Sequence, residues 1–248
     1  MNHRGSDLLP NPEAAVAKLL EKLLAIYMKV FDSKIFDEDT QRIKMQDAIP
    51  ALKEEMRELR ETEHRKLTSR QISFLQALDN EAARQEMETI KRCFWINLFN
   101  FKILQKILEV FLDKPRLLFK KLTNCTMFIV LMNSIKVQIQ GHEVTCYEIL
   151  KTILKHDDIV LLAGPFEEPV RPFSELPVEI QNLAVQESHP TTSFGLYLPI
   201  KKWSSFEVYD KHCFEDQLLA VVQKNHDRLQ ISKENFLQRI PKYFFWKS

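Results

Sequence analysis

The chain has 248 residues, 45% of them hydrophobic and 28% charged, a balance that lets one large domain, with or without an extension, bury a real core. Basic and acidic residues nearly cancel, 35 against 34, which argues against a surface dedicated to nucleic acid or anionic membrane. The four glycines, Gly5, Gly141, Gly164 and Gly195, are dispersed, so the clustered-glycine loops that cradle nucleotide phosphates are excluded.

The opening "MNHRGSDLLPNPEAAV" lacks the apolar run of a signal peptide, and no later stretch approaches the roughly 20 apolar residues that span a bilayer. A cytoplasmic protein without a membrane span is expected. Cys93, Cys125, Cys146 and Cys213 form no CxxC pair, which suits a reducing compartment and leaves no paired-cysteine zinc site.

From Pro12 to Phe31, Val16, Leu20, Leu24, Tyr27 and Phe31 recur at steps of three and four, the mark of an amphipathic helix. A second helix is expected to open at Pro50, with Leu52, Met56 and Leu59 as a narrow stripe among charges. Within it Arg57 and Glu61 attract while Glu54 and Glu58 repel. The stretch after Leu67 reads as a short helix, a loop near Asp79–Asn80 and a long helix ending before Lys114–Pro115. On that long helix Ile90, Phe94, Asn97, Phe101, Leu104 and Leu108 share a face, and Trp95, Leu98 and Phe99 widen it, so it is expected to be central and buried on most sides.

At "SIKVQIQGHEVT" the period changes to two: Ile135, Val137 and Ile139 alternate with polar residues, Gly141–His142 supplies a turn, and Val144 resumes the strand. Thr145 and Glu148 then form a capping box that starts the next helix. Prolines 165, 169, 172 and 177 make 156–177 a loop laid over the domain. "SFGLYLPI" and "SFEVY" read as strands and "CFEDQLLAVVQKNHDRL" as a helix. "ISKENFLQRIPKYFFW" reads as a closing helix, capped by Ser232, with an aromatic tail. The expected class is α+β: a helix-rich domain around a buried central helix with a small, mainly antiparallel sheet, residues 67–248, preceded by a helical extension, residues 1–66.

Reactive chemistry is thinly represented. Cys146 is the one thiol with a physical argument for activation, because it falls in the first turn of a capped helix, where a helix N-terminus lowers a thiol pKa. Cys93, at the start of the apolar run, reads as a small core residue and Cys213 as an ordinary helix residue; His212 and Cys213 are adjacent, and neighbours on a helix point about 100° apart. His142–Glu143 and His156–Asp157–Asp158 lack the spacing of a metal site, and no cofactor motif is present, so no metal or cofactor is expected. Glu167–Glu168, Lys120–Lys121 and Lys201–Lys202 read as solvated surface. Asn97 and Asn100 lie within about 60° of each other in the most apolar stretch, so both amides can address one neighbouring segment. A buried amide needs hydrogen-bond partners, supplied by backbone or by a ligand; backbone is the stronger reading.

"FWINLFN", Phe94 to Asn100, resembles the FWINLYN signature of the domain of unknown function 547 family, found in plant leucine-zipper proteins, behind glutaredoxin and DEP modules in animals, and in bacteria. "GHEVTCYEILKTILK", "HPTTSFGLYLPIKKWSSFEVY", "FEDQLLAVV" and "LQRIPKYFFW" resemble later segments of the same family, so the likeness runs from about Thr68 to Trp246. Bacterial members carry a histidine and flanking cysteines where this chain has Ser193, Leu198 and Ser205; plant members have serines in that loop. The resemblance thus implies a scaffold whose degenerate-site positions are Ser193, Ser204 and Ser205, with Trp95, Asn97 and Asn100 as motif residues. The expected function is a non-enzymatic structural or protein-interaction module within a larger assembly. Its contacts are expected through the N-terminal helices or the loop 156–177, without nucleic acid. The alternative is a thiol-dependent hydrolase or transferase using Cys146.

Overall fold

The computed structural model describes residues 8–9, 11–31, 38–68, 71–72, 81–113, 125–155, 170–189, 191–197 and 207–229. Helix α1 (Pro12–Phe31) follows Asn11, whose left-handed φ of 53° is a conformation asparagine tolerates and whose carbonyl accepts the Ala15 N–H. Its buried seam is Val16, Leu19, Leu20, Leu23 and Ile26, one position over from the expected stripe, with Leu24 and Tyr27 at the margin of the core. Helix α2 (Glu38–Leu67) buries Leu52, Met56 and Leu59 as the spacing predicts. Its start is a correction: the helix begins twelve residues before Pro50, which sits inside it. Pro50 is exposed, so the backbone bond that it cannot make is lost on the solvent side and not in the core.

Helix α3 (Glu81–Asp113) is the axis of the molecule, and every residue from Lys91 to Phe101 is buried. It stops just before Lys114–Pro115, as the restriction ahead of proline requires. α1 packs along α3, and α2 lies against both, so the apolar faces of all three helices join one hydrophobic cluster.

Two small sheets flank this layer. Strand β1 (Leu8–Leu9) pairs in parallel with β2 (Gln71–Ile72), where a short helix was expected. Helix α4 (Cys125–Ser134) has no counterpart in the sequence reading, because "CTMFIVLMNS" is too uniformly apolar to show a period. Strands β3 (Lys136–Ile139) and β4 (His142–Thr145) form the expected antiparallel hairpin, with Val137 opposite Val144. The turn centres on Gln140 and Gly141, not Gly141–His142; both have positive φ, 51° and 79°, the geometry of a type I′ turn. The Gln140 N–H donates to the Leu67 carbonyl (3.0 Å) and its side chain to the Ile72 carbonyl (2.6 Å), which ties the hairpin tip to the end of α2 and to β2.

Thr145 and Glu148 cap helix α5 (Cys146–Glu148) reciprocally. The chain continues as a π-helical turn, Ile149–Ile153, whose wide ring is closed by the Leu154 N–H on the Ile149 carbonyl (2.8 Å). Residues 156–169 of the expected proline loop lie outside the described residues. The described part is more ordered than a loop: Pro172 leads into a 3-10 turn, Phe173–Glu175, and Pro177 into helix α6 (Val178–Leu183). Arg171 fastens this segment, donating to the Glu148 carboxylate (2.8 Å) and the Glu143 carbonyl (3.0 Å).

The C-terminal third corrects the strand expectation. Thr192–Gly195 is a helical turn, α7, and residues 207–210 belong to no ladder. Helix α8 (Phe214–Leu229) runs as its pattern predicts, burying Phe214 and Leu218 against α7 and α3. Gly195 sits at the closest approach: a Cβ there would lie 3.0 Å from Leu218 Cδ2 and 3.1 Å from two methyl carbons of Ile96. The expected closing helix, with Ser232, lies outside the described residues. The fold is α+β and helix-rich, with a small two-stranded antiparallel hairpin.

Candidate functional site

The polar side chains of α3 emerge from its most apolar stretch, and two groups of them face different neighbours. Residues 88, 91 and 95 line one side. The Trp95 indole N–H donates to the Leu183 carbonyl (2.8 Å), Lys91 Nζ to the Ala184 carbonyl (3.1 Å), and the Glu88 carboxylate accepts the Gln186 N–H (2.7 Å). Together they hold the end of α6, where the backbone has few helical partners of its own.

Residues 93, 97 and 100 line the other side. Asn97 donates from Nδ2 to the Tyr209 carbonyl (2.8 Å) and accepts the Tyr209 N–H at Oδ1 (3.0 Å). Asn100 donates to the Gly195 carbonyl (2.8 Å) and accepts the Tyr197 N–H (2.7 Å). Each amide thus serves one backbone donor and one backbone acceptor, as a neighbouring strand would. The Cys93 thiol adds a donation to the Tyr209 carbonyl (3.3 Å). From the opposite side, Gln217 of α8 donates to the Val208 carbonyl (3.1 Å) and accepts the Asp210 N–H (2.8 Å). Residues 208–210 are therefore hydrogen-bonded alternately left and right, by amide side chains from two helices.

Charge surrounds this arrangement. Arg92 pairs with Glu215 while its guanidinium carbon stands 5.2 Å over the Phe214 ring, and Lys211 pairs with the buried Glu13 of α1 (2.7 Å). Tyr209 meets Phe214 edge-on, and burial, with Glu207 and Cys93, raises its phenol well above the ordinary range. His189 bonds to Thr191 through Nδ1 (2.8 Å); burial, reinforced by Arg92, lowers its pKa. Among the described residues, Arg92 Nη1, Thr192 Oγ1 and Tyr209 Oη are buried without a hydrogen-bond partner.

Cys146 is fully buried under the hairpin, and burial pushes its thiol up to about 12; Lys102 opposes this and Glu63 adds to it. The lowering expected from a helix N-terminus is reversed, because desolvating the thiolate outweighs a three-residue helix. Burial likewise raises Cys93 to about 12, and Cys213 is exposed. Ser193 is buried in α7; Leu198, Ser204 and Ser205 lie outside the described residues. Among the described residues no group of three or more His, Cys, Asp or Glu side chains is placed to hold a metal ion, and no helix is long and apolar enough to cross a membrane.

Lys91, Arg92 and the Lys102–Glu63–Gln105 cluster escaped the sequence reading. Lys102 Nζ contacts Glu63 Oε1 at 2.9 Å and Gln105 Oε1 at 2.7 Å, in a largely buried contact between α3 and α2. Their signal was present: each charge sits in the helical rows that carry the apolar face.

The model of the family "Protein of unknown function, DUF547" matches residues 83–224, within the Thr68–Trp246 stretch and over more than half of the chain. No curated protein and no solved structure matches. The match takes in nearly all of α3 with its asparagines, α4, the hairpin, α5 to α7 and most of α8; α3, α7 and α8 among them build the amide-bonded layer. On that span, the chain belongs to the DUF547 family.

Proposed function

We propose that this chain is a non-enzymatic structural and protein-interaction module, a subunit of a larger intracellular assembly. One observation carries the reading: both polar atoms of Asn97 and of Asn100 are engaged by main chain, so the signature amides are spent on architecture and present nothing to a substrate. The burial of Cys146 and the position of Ser193 inside α7 point the same way. In this reading residues 1–66 are an extension that docks on the domain 67–248. Partners engage the N-terminal helices or the segment 156–177. The free thiols of Cys93, Cys146 and Cys213 suit a cytoplasmic setting, and the balance of 35 basic against 34 acidic residues argues against a nucleic-acid partner.

Cross-linking of the full chain in a native extract, followed by peptide mapping, tests this. Cross-links concentrated on Pro12–Lys66 or on 156–177 are expected; a monomer without a partner would overturn the reading. Iodoacetamide at neutral pH separates it from the thiol enzyme. Cys146 should react only after unfolding, whereas modification faster than that of a free thiol would revive the enzyme.

A further inference from the structure

Between α2 and α3 runs a groove formed by two adjoining cavities of about 340 Å³ and about 170 Å³, which share Arg60 and Glu109. Lys53, Arg57, Arg60, Lys102, Lys106 and Lys136 line it, against only Glu63 and Glu109. In a chain whose total charge is +1, this lining is a local excess of positive charge, partly offset by Glu54, Glu61 and Glu143 at its rim. Lys53, Arg57, Arg60 and His64 follow one another at steps of four, three and four, so they share one face of α2 over about 16 Å.

The positive charge is not locked in place. Lys102 is held at the floor by Glu63 and Gln105, but the rim pairs are open. Arg57 meets Glu54 and Glu61 with all three side chains more than half exposed, and Arg60, also more than half exposed, meets Glu109 at 2.9 Å. Lys106 stands 3.7 Å from Glu109 and Lys136 2.7 Å from Glu143. Exposed pairs of this kind contribute little and exchange readily for another carboxylate.

We infer that the α2–α3 groove is the docking surface of the interaction module proposed above, and that its occupant is an acidic protein segment, helical, with carboxylates one turn apart. The inference rests on that proposal. The repeat of the basic side chains along α2 matches the turn spacing of a second helix laid beside it. Met56, Leu112 and Ile135 also line the groove but are almost wholly buried, so what it offers a partner is mainly charge. A bilayer is disfavoured because the surface is concave. A nucleic-acid backbone is disfavoured because Glu63 and Glu109 interrupt the positive track.

The test is fluorescence anisotropy on the full chain with a short labelled helical peptide carrying glutamates three and four residues apart. Saturable binding that weakens as salt rises is expected. In Lys53→Glu/Lys106→Glu the affinity should fall by about tenfold or more, with an unchanged circular dichroism spectrum. Lys53→Gln/Lys106→Gln, with a smaller loss, serves if the reversal disturbs folding. Absence of saturable binding, or equal affinity in the variants, overturns the inference, as does binding to phosphatidylserine vesicles or to single-stranded DNA in preference to the peptide. Cross-links from native extract that map to 170–177, with no peptide binding, would sink the groove while leaving the interaction module standing.

Discussion

Asn97 has Tyr209 on both of its polar atoms, so replacing it by leucine removes two hydrogen bonds, strands the buried Tyr209 N–H and leaves its carbonyl with only the weak donation from the Cys93 thiol. Each orphaned group costs about 1–3 kcal/mol, so Asn97→Leu should lower unfolding free energy by about 3 kcal/mol in a urea titration. A variant of unchanged stability would mean that the amide serves something other than architecture. Sequence alone pointed to both asparagines, because an amide in the most apolar stretch of a chain demands a partner. It did not name Tyr209, Gly195 or Tyr197, which lie about a hundred residues away. Cys146 illustrates the opposite outcome: its position in a first turn was legible, but its depth was not, and depth decides the thiol's pKa.

At the scale of elements, the best-read stretch runs from Ile135 to Glu148, where all the information is local: alternation, a turn glycine, a capping box. Thr145→Ala should cost about 1 kcal/mol by thermal or urea unfolding, the usual effect of losing an N-cap side chain. The loss should shrink when Glu148→Ala is already present, since the two caps are reciprocal and Glu148 also holds Arg171. The stretch 207–210 was misread for an instructive reason. Alternation reports a chain whose residues face in and out by turns, and says nothing about what pairs with its backbone. Here Asn97 and Gln217 take the place of a neighbouring strand.

For the whole molecule, three ion pairs among the described residues cross between residues 1–66 and the rest: Glu13 with Lys211, Arg60 with Glu109 and Glu63 with Lys102, alongside the apolar seams of α1 and α2. Deleting 1–66 leaves Lys102 without its carboxylate and bares the α3 face. The fragment 67–248 should therefore lack a cooperative thermal transition, although the family match begins only at residue 83. A sharp transition in that fragment would show the extension to be dispensable. Alkali provides a second check. Cys93 and Cys146 are held near 12 in the folded chain against an ordinary value of about 8.5. The folded state thus keeps protons that the unfolded chain releases. Stability should be full below about pH 8.5 and decline toward pH 12, by up to about 1.4 kcal/mol per unit for each thiol. Urea titrations between these limits measure the slope, and Cys146→Ala should flatten it.

By itself, the sequence determined α1, the body of α2, α3, α8 and the hairpin, whose signals are periodicity, caps and turns within a few residues; it did not show α4, α6 or α7. It also carried the family likeness, which the match over residues 83–224 shows. Only the tertiary structure decided which backbone the asparagines hold, how deep Cys146 lies, and that basic side chains of α2, α3 and β3 meet in one groove. Those properties are set by pairs of residues far apart in the chain, and local pattern carries no record of distance.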